Sequence, residues 1–283
     1  MRPSSILFVL LFTFILGKSN SQDKQNIEHK FLSEAFETER TVRVFLPERY
    51  FRDSTSTFIV VYVLDAHDDQ VWNMVKGNID YAVSRYAVIP MIAVGIASEN
   101  RGSEFNPNSE TLHKHFKEEV FPLIESKYRI KKHRTIIGHS WGGAFVGNTI
   151  FSDKSEMFDA YLAFSPSFAA NNNVIFNQAD SLLRLKKDFK KFLYYSSGSV
   201  GFEEGFKNNV AKMDSLLNTY NPKNLAYTSQ FFDGKDHFSA LRNDILIKFA
   251  FIRRYFIFQQ GKKPACRQAG VDNVAHWRGF STP

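Results

Sequence analysis

The sequence has a single cysteine, Cys266, in 283 residues. It can form no intramolecular disulfide, so the folded chain must be held by its core, and a chain of this length can bury a large one. Cys266 lies in a stretch with Lys262, Lys263, Pro264 and Gly270 and has no catalytic context, so it reads as a loose thiol. Long apolar runs are missing as well. The run from Ile6 to Leu16 spans eleven residues, interrupted only by Thr13, and is too short to cross a bilayer as a helix. Met1-Arg2 precedes it and the small, polar Gly17-Lys18-Ser19-Asn20-Ser21 follows. That layout predicts a secretory signal peptide over 1–21, with an uncleaved anchor as the alternative. The expected protein is exported, periplasmic or secreted, with no stable membrane insertion after cleavage. No cysteine near residue 21 points to a lipid anchor.

The net charge of +7 gives little sign of an anionic partner. Arg2 and Lys18 lie in the leader, and Lys262, Lys263, Arg267 and Arg278 lie against Asp272 in the last 24 residues. The body from 22 to 259 is left near neutrality, which gives no reason to expect nucleic-acid binding. The basic run Arg129 to Arg134 reads as a solvated loop between a helix and a strand. Metal-binding spacing is absent too. His113 and His115 are two apart on a predicted helix and do not share a face, so no metal and no cofactor are expected. No repeat is visible and no linker divides residues 22–259. The stretch 260–283 has no apolar periodicity and is expected to be a disordered tail.

The chain does show alternation of strand and helix patterns. Strands are predicted at 28–33, 41–46, 58–64, 91–96, 135–137, 160–164, 191–195 and 226–232. The continuous apolar runs at 58–64 and 91–96 are typical of parallel strands covered on both faces. Helical spacing covers 109–128, with Pro122 as a kink, and then 143–151, 175–188, 205–219 and 238–257. This order predicts an α/β fold, with a mostly parallel central sheet, helices on both faces and a first strand pair antiparallel at one edge.

One motif carries chemistry. Gly138-His139-Ser140-Trp141-Gly142-Gly143 follows Ile136-Ile137 and precedes a helix. G-x-S-x-G in that setting is a nucleophile elbow, in which the serine sits on a strained strand-to-helix turn with its hydroxyl held out. An activated serine needs a base and a carboxylate to orient it, in the order Ser, acid, His. His237, in Gly234-Lys235-Asp236-His237, lies beyond the last strand at the elbow's edge of the sheet. His139 is expected to pack rather than react. The acid is expected in the loop after strand 191–195, where Glu203 and Glu204 are adjacent. Glu204 is favoured, with Glu203 the alternative. The oxyanion donors are expected to be the amides of Trp141 and Ala66, with Asp65 and His67 as neighbouring alternatives.

These residues resemble the esterase D and enterochelin (siderophore) esterase-like branch of the α/β-hydrolases over roughly 28–257. Val61-Tyr62-Val63-Leu64-Asp65 is similar to the strand ending in Leu-Leu-Asp-Gly, with Ala66 in place of the glycine. Asn100-Arg101-Gly102-Ser103-Glu104-Phe105-Asn106-Pro107 is similar to Asn-Arg-x-Arg-Asp-x-Thr-Pro, with Ser103, Glu104 and Asn106 departing from it. Glu118 to Gly143, Phe164-Ser165-Pro166-Ser167 and Gly234-Lys235-Asp236-His237 also match. The resemblance implies an α/β-hydrolase fold, three layers deep, and a serine esterase built on Ser140 and His237. It places Arg101, Ser165 and Ser167 near substrate. The implied substrate is a small-molecule or glycan ester, such as a siderophore lactone or an acylated saccharide. Acyl transfer on the same scaffold, or a binding protein that keeps the fold, are the alternatives.

Overall fold

The computed structural model describes residues 24–84, 88–185, 188–239 and 241. The expected leader, the helix over 238–257 beyond its first turn, the tail and Cys266 lie outside these residues.

The chain opens with a hairpin, β1 (Asn26–Ser33) and β2 (Thr38–Phe45), paired antiparallel from Asn26–Phe45 to Ser33–Thr38. A short helix α1 (Glu48–Arg52) leads to β3 (Phe58–Val63), then α2 (Asp69–Ser84), β4 (Met91–Ile96) and the single turn α3 (Arg101–Glu104). Next come α4 (Thr111–His115), a π-helical turn (Phe116–Val120), α5 (Phe121–Lys127) and β5 (Ile130–His139). The order continues α6 (Trp141–Ile150), β6 (Ala160–Phe164), α7 (Ala170–Leu185), β7 (Asp188–Ser197), α8 (Glu203–Tyr220) and β8 (Lys223–Phe231). The eight strands lie in the order β1-β2-β4-β3-β5-β6-β7-β8. β2 meets β4 antiparallel, and every pairing from β4 to β8 is parallel.

Every residue of β3 and of β4 is buried. Side chains alternate across a strand, so each strand feeds two cores. Phe58, Val60 and Tyr62 join one with Phe116, Phe145 and Phe158, while Ile59, Val61 and Val63 join the other with Trp72, Val75 and Ile79. The sequence has 29 phenylalanines, and 13 of them are buried among the described residues. Phe116, Phe121 and Phe158 surround the Tyr62 ring at centroid distances of 5.2 to 5.8 Å.

Three local expectations are corrected. The helix over 109–128 is α, then π, then α. Pro122 has no N–H for the carbonyl of Glu118, and the ladder slips to the wider register in the turn before it. The basic stretch after Arg129 is not a loop, since β5 begins at Ile130. The arginines at its two ends lie against aromatic faces, with Arg129 4.2 Å from the Tyr50 ring and Arg134 3.9 Å from the Phe121 ring. Helix α2 has no counterpart in the sequence expectations, although Trp72, Val75, Ile79 and Val83 carry helical spacing and form its buried face.

Candidate active site

The parallel strands deliver their carboxyl ends to one edge, where an open α/β sheet holds its ligands. β5 ends at His139, and Ser140 turns the chain straight into α6. Its torsions, φ 57° and ψ −114°, are ones an L-residue adopts only under constraint. The constraint is visible. The Ser140 amide donates to Phe164 O at 2.9 Å, and the Ser140 carbonyl accepts from Ala144 N and Ser167 N at 3.0 Å each. The turn is tight enough that a Cβ on Gly138 would lie 2.2 Å from the Gly142 carbonyl oxygen. The elbow motif therefore needs glycine there for close approach.

Of the two glutamates after β7, it is Glu203 whose carboxylate reaches His237. Glu203 is fully buried, and one of its oxygens accepts from His237 Nδ1. The other accepts from Gly198 N at 2.7 Å and Ser165 Oγ at 3.1 Å. Glu204 is exposed, so the preference for it is corrected. Adjacent residues on a helix point about 100° apart, and only one can face inward. The sequence held a signal for the choice. The buried face of α8 is Val210, Met213 and Leu217, and Glu203 continues that stripe seven residues back, whereas Glu204 aligns with Asn208, Ala211 and Ser215.

His237 is buried, at 6 % exposure. A carboxylate can only accept, so Nδ1 carries the proton and Nε2 is left as the basic nitrogen. The acid loop and the histidine loop are joined by main chain. Ser199 N donates to Lys235 O at 2.9 Å, and Phe232 N donates to Ser197 O at 3.0 Å. Gly198 permits the contact, because a Cβ there would sit 2.1 Å from Lys235 O.

His139 packs, as expected, and also does more. Its Nε2 donates to the His237 carbonyl at 3.0 Å, and the two rings lie 4.3 Å apart. Burial, with His237 alongside, pulls its pKa down to about 4, so the ring is neutral near pH 7. The motif alone gave no sign of this tie between elbow and histidine.

Arg101 does not sit as a free substrate contact. Its Nε and one Nη hold the two oxygens of Asp65 at 2.6 and 3.0 Å, and the same Nη reaches the His139 carbonyl at 3.4 Å. Burial pushes the Asp65 carboxyl up even against these bonds. Glu104, which replaces the family's acid, accepts from Arg40 at 2.8 Å and from the amides of Glu99 and Asn100. Burial raises its pKa, but Arg40 and the two amides outweigh that and hold it below the ordinary value. The loop 100–107 is thus a brace between β2, β3 and the elbow.

Ser165, expected near substrate, is buried and faces Glu203 instead. Ser167 is half-buried, with its amide on the Ser140 carbonyl. The oxyanion expectation changes in part. The Ala66 amide is engaged with Ile96 O at 3.0 Å and is not available. The amides of Trp141, at the start of α6, and of both alternatives, Asp65 and His67, make no hydrogen bond among the described residues. Among those residues, no three His, Cys, Asp or Glu side chains are arranged to hold a metal ion, and no helix is long and apolar enough to cross a membrane.

An eight-stranded, mostly parallel sheet with an elbow serine, a histidine after the last strand and a carboxylate behind it is the architecture of an α/β-hydrolase. The model of the Esterase family matches residues 33–240, and the chain belongs to that family and is an esterase. It is 25 % identical over 264 residues to the ferri-bacillibactin esterase BesA of Bacillus subtilis, covering 80 % of this chain and 89 % of that one. Among solved structures, an IroE-like serine hydrolase from Shewanella oneidensis superposes with a TM-score of 0.70 at 19 % identity, covering 83 % of this chain and 80 % of that one. The siderophore hydrolase EstB from Aspergillus nidulans superposes at 0.69 with 19 % identity, covering 81 % and 95 %. These two likenesses establish the shared fold.

Proposed function

We propose that this esterase is a serine carboxylic-ester hydrolase working through an acyl-enzyme, with Ser140 as nucleophile, His237 as base and Glu203 as the acid behind it. The observation that carries the reading is the buried Glu203 carboxylate on His237 Nδ1. It holds the imidazole in the tautomer whose Nε2 accepts a proton. Ser140 gives its proton to that nitrogen as its oxygen attacks the ester carbonyl. The amides of Trp141 and His67 receive the negative charge of the tetrahedral oxygen. As the intermediate collapses, His237 returns the proton to the departing alcohol, leaving Ser140 acylated. Water, deprotonated by His237, then attacks the acyl-enzyme and frees the carboxylic acid. Ser165 and Gly198 hold the unreactive oxygen of Glu203, and Arg101 braces the loop that carries His67.

The substrate we infer is a small-molecule or glycan ester, a siderophore lactone or an acylated saccharide. The relation to BesA, a ferri-bacillibactin esterase by name, supports the first. Ser167 is kept as the substrate-side serine, and the protein is proposed to act after export, on the strength of residues 1–21. Hydrolysis of p-nitrophenyl acetate by the wild type and by Ser140→Ala tests the mechanism. Equal rates would overturn it.

A further inference from the structure

Three phenylalanines gather round His237. Phe202 lies 4.7 Å from its ring, Phe206 5.0 Å and Phe238 5.5 Å, by centroids. Phe202 also meets Phe206 at 6.1 Å, and Phe238 meets His139 at 5.5 Å. Thirteen of the 21 phenylalanines among the described residues are buried, yet Phe202 is 64 % exposed and Phe238 59 %. Large rings left in water side by side, next to a reactive group, mark a binding surface.

We propose that Phe202, Phe206 and Phe238 form the subsite for the alcohol portion of the ester, and that this subsite selects an uncharged, ring-bearing alcohol. The proposal rests on the serine-esterase reading. Its side of the reaction follows from proton chemistry. His237 must pass its proton to the departing alcohol oxygen, so the alcohol leaves alongside this imidazole, and what flanks the ring flanks the alcohol. The acyl group instead remains on Ser140, between the oxyanion amides. The neutrality of the group follows from charge. The segments carrying the three rings bear Glu204, Asp233 and Asp236 at the surface against Lys207 and Lys235. The three carboxylates outnumber the two lysines, so the balance disfavours an anionic group, whereas stacking and edge contacts on phenylalanine suit a neutral ring.

The test compares kcat/KM for three acetates with one acyl group: ethyl, 2-phenylethyl and 2-(4-carboxyphenyl)ethyl. An acyl-side pair, ethyl acetate and ethyl phenylacetate, serves as the control. The wild type is expected to favour 2-phenylethyl over ethyl acetate about tenfold or more, the scale of one apolar group in a fitted site, and to lose most of that gain on the carboxylated alcohol. In Phe202→Ser/Phe238→Ser, two surface positions, the phenylethyl-to-ethyl ratio is expected to fall toward one while the acyl-side ratio stays. A wild-type ratio near one, or a variant in which both ratios fall together, overturns the proposal. So does a variant whose ratios stay and whose sedimentation alone changes, which would make the rings a contact between copies of the chain. Ethyl acetate turnover abolished in Ser140→Ala separates the two levels. With it, a flat alcohol series sinks the subsite alone. No hydrolysis of any acetate by the wild type sinks the esterase mechanism as well.

Discussion

Replacing Glu203 by glutamine is the sharpest perturbation the site offers, because its neighbour provides the control. Glu203→Gln keeps size and shape in a fully buried position. The amide oxygen can still accept from Gly198 N and Ser165 Oγ, but the other end of the side chain now presents an N–H to His237 Nδ1. Two losses follow. The hydrogen bond from the imidazole to a charged acceptor, worth roughly 1.5–3 kcal/mol, disappears. The imidazolium formed as Ser140 ionises also loses its buried counter-charge. Together these amount to about 3–5 kcal/mol, the usual cost of breaking a buried charged pair. At about 1.4 kcal/mol per factor of ten, kcat falls on the order of 10² to 10⁴. KM changes little, since Glu203 has no surface to offer a substrate. Glu204→Gln, exposed on the next position of α8, stays within about twofold of wild type. The assay is steady-state hydrolysis of p-nitrophenyl acetate by both variants, with circular dichroism to show that both are folded. If Glu203→Gln kept more than about a third of the wild-type kcat, or Glu204→Gln lost as much, the assignment of the acid would be wrong.

Other variants test the surrounding frame. His139→Phe removes the donor to the His237 carbonyl, so kcat is expected to fall about tenfold with KM unchanged, and His139→Gln to recover part of it; equal losses in the two would deny the bond a role. Gly198→Ala forces a Cβ to 2.1 Å from Lys235 O, and should lower both the melting temperature and kcat, which thermal denaturation beside the ester assay reads out; an unchanged protein would mean the two loops are not in contact. His113 is stacked on Phe145 at 4.5 Å and hydrogen-bonded to Thr149, and burial first of all lowers its pKa to about 4. The unfolded chain therefore binds more protons than the folded one between about pH 6.5 and 4, so the stability is full above that window and drains as pH falls through it, by up to about 3 kcal/mol. Melting curves from pH 7 to pH 4 should show the loss, and His113→Phe should reduce the slope; an identical slope would show that His113 does not titrate this way.

What the sequence revealed and what it hid divide along a physical line. Side-chain patterns repeat along the chain, so β3 and β4 announced themselves as continuous apolar runs and the elbow by its glycines. The positions of Ser140 on the turn after β5 and of His237 beyond β8 were legible because residue type, order and position relative to a strand suffice to place them. Main-chain traffic leaves no such trace. The Ala66 amide turned out to be engaged with Ile96, and nothing in Leu64-Asp65-Ala66-His67 announces which N–H groups remain. Arg101 looked like a substrate contact because its target, Asp65, lies 36 residues earlier and meets it only in the folded chain. The carboxylate that reaches His237 was missed for a different reason. The period of α8 distinguishes Glu203 from Glu204, but only when the helix phase is read back from Val210, Met213 and Leu217 to its first turn.

The joint between the acid loop and the histidine loop has a consequence for how this enzyme can diversify. Ser197 to Val200 and Phe232 to Lys235 exchange main-chain hydrogen bonds across the Gly198 contact. Neither segment can be lengthened or replaced alone without moving the other half of the charge pair. A chimaera that imports one loop from a relative should come out inactive, while one that imports both should keep turnover and take on the donor's preference for the alcohol. The two segments would then be inherited as one cassette, and recombination between them selected against, although they lie some thirty residues apart in the chain.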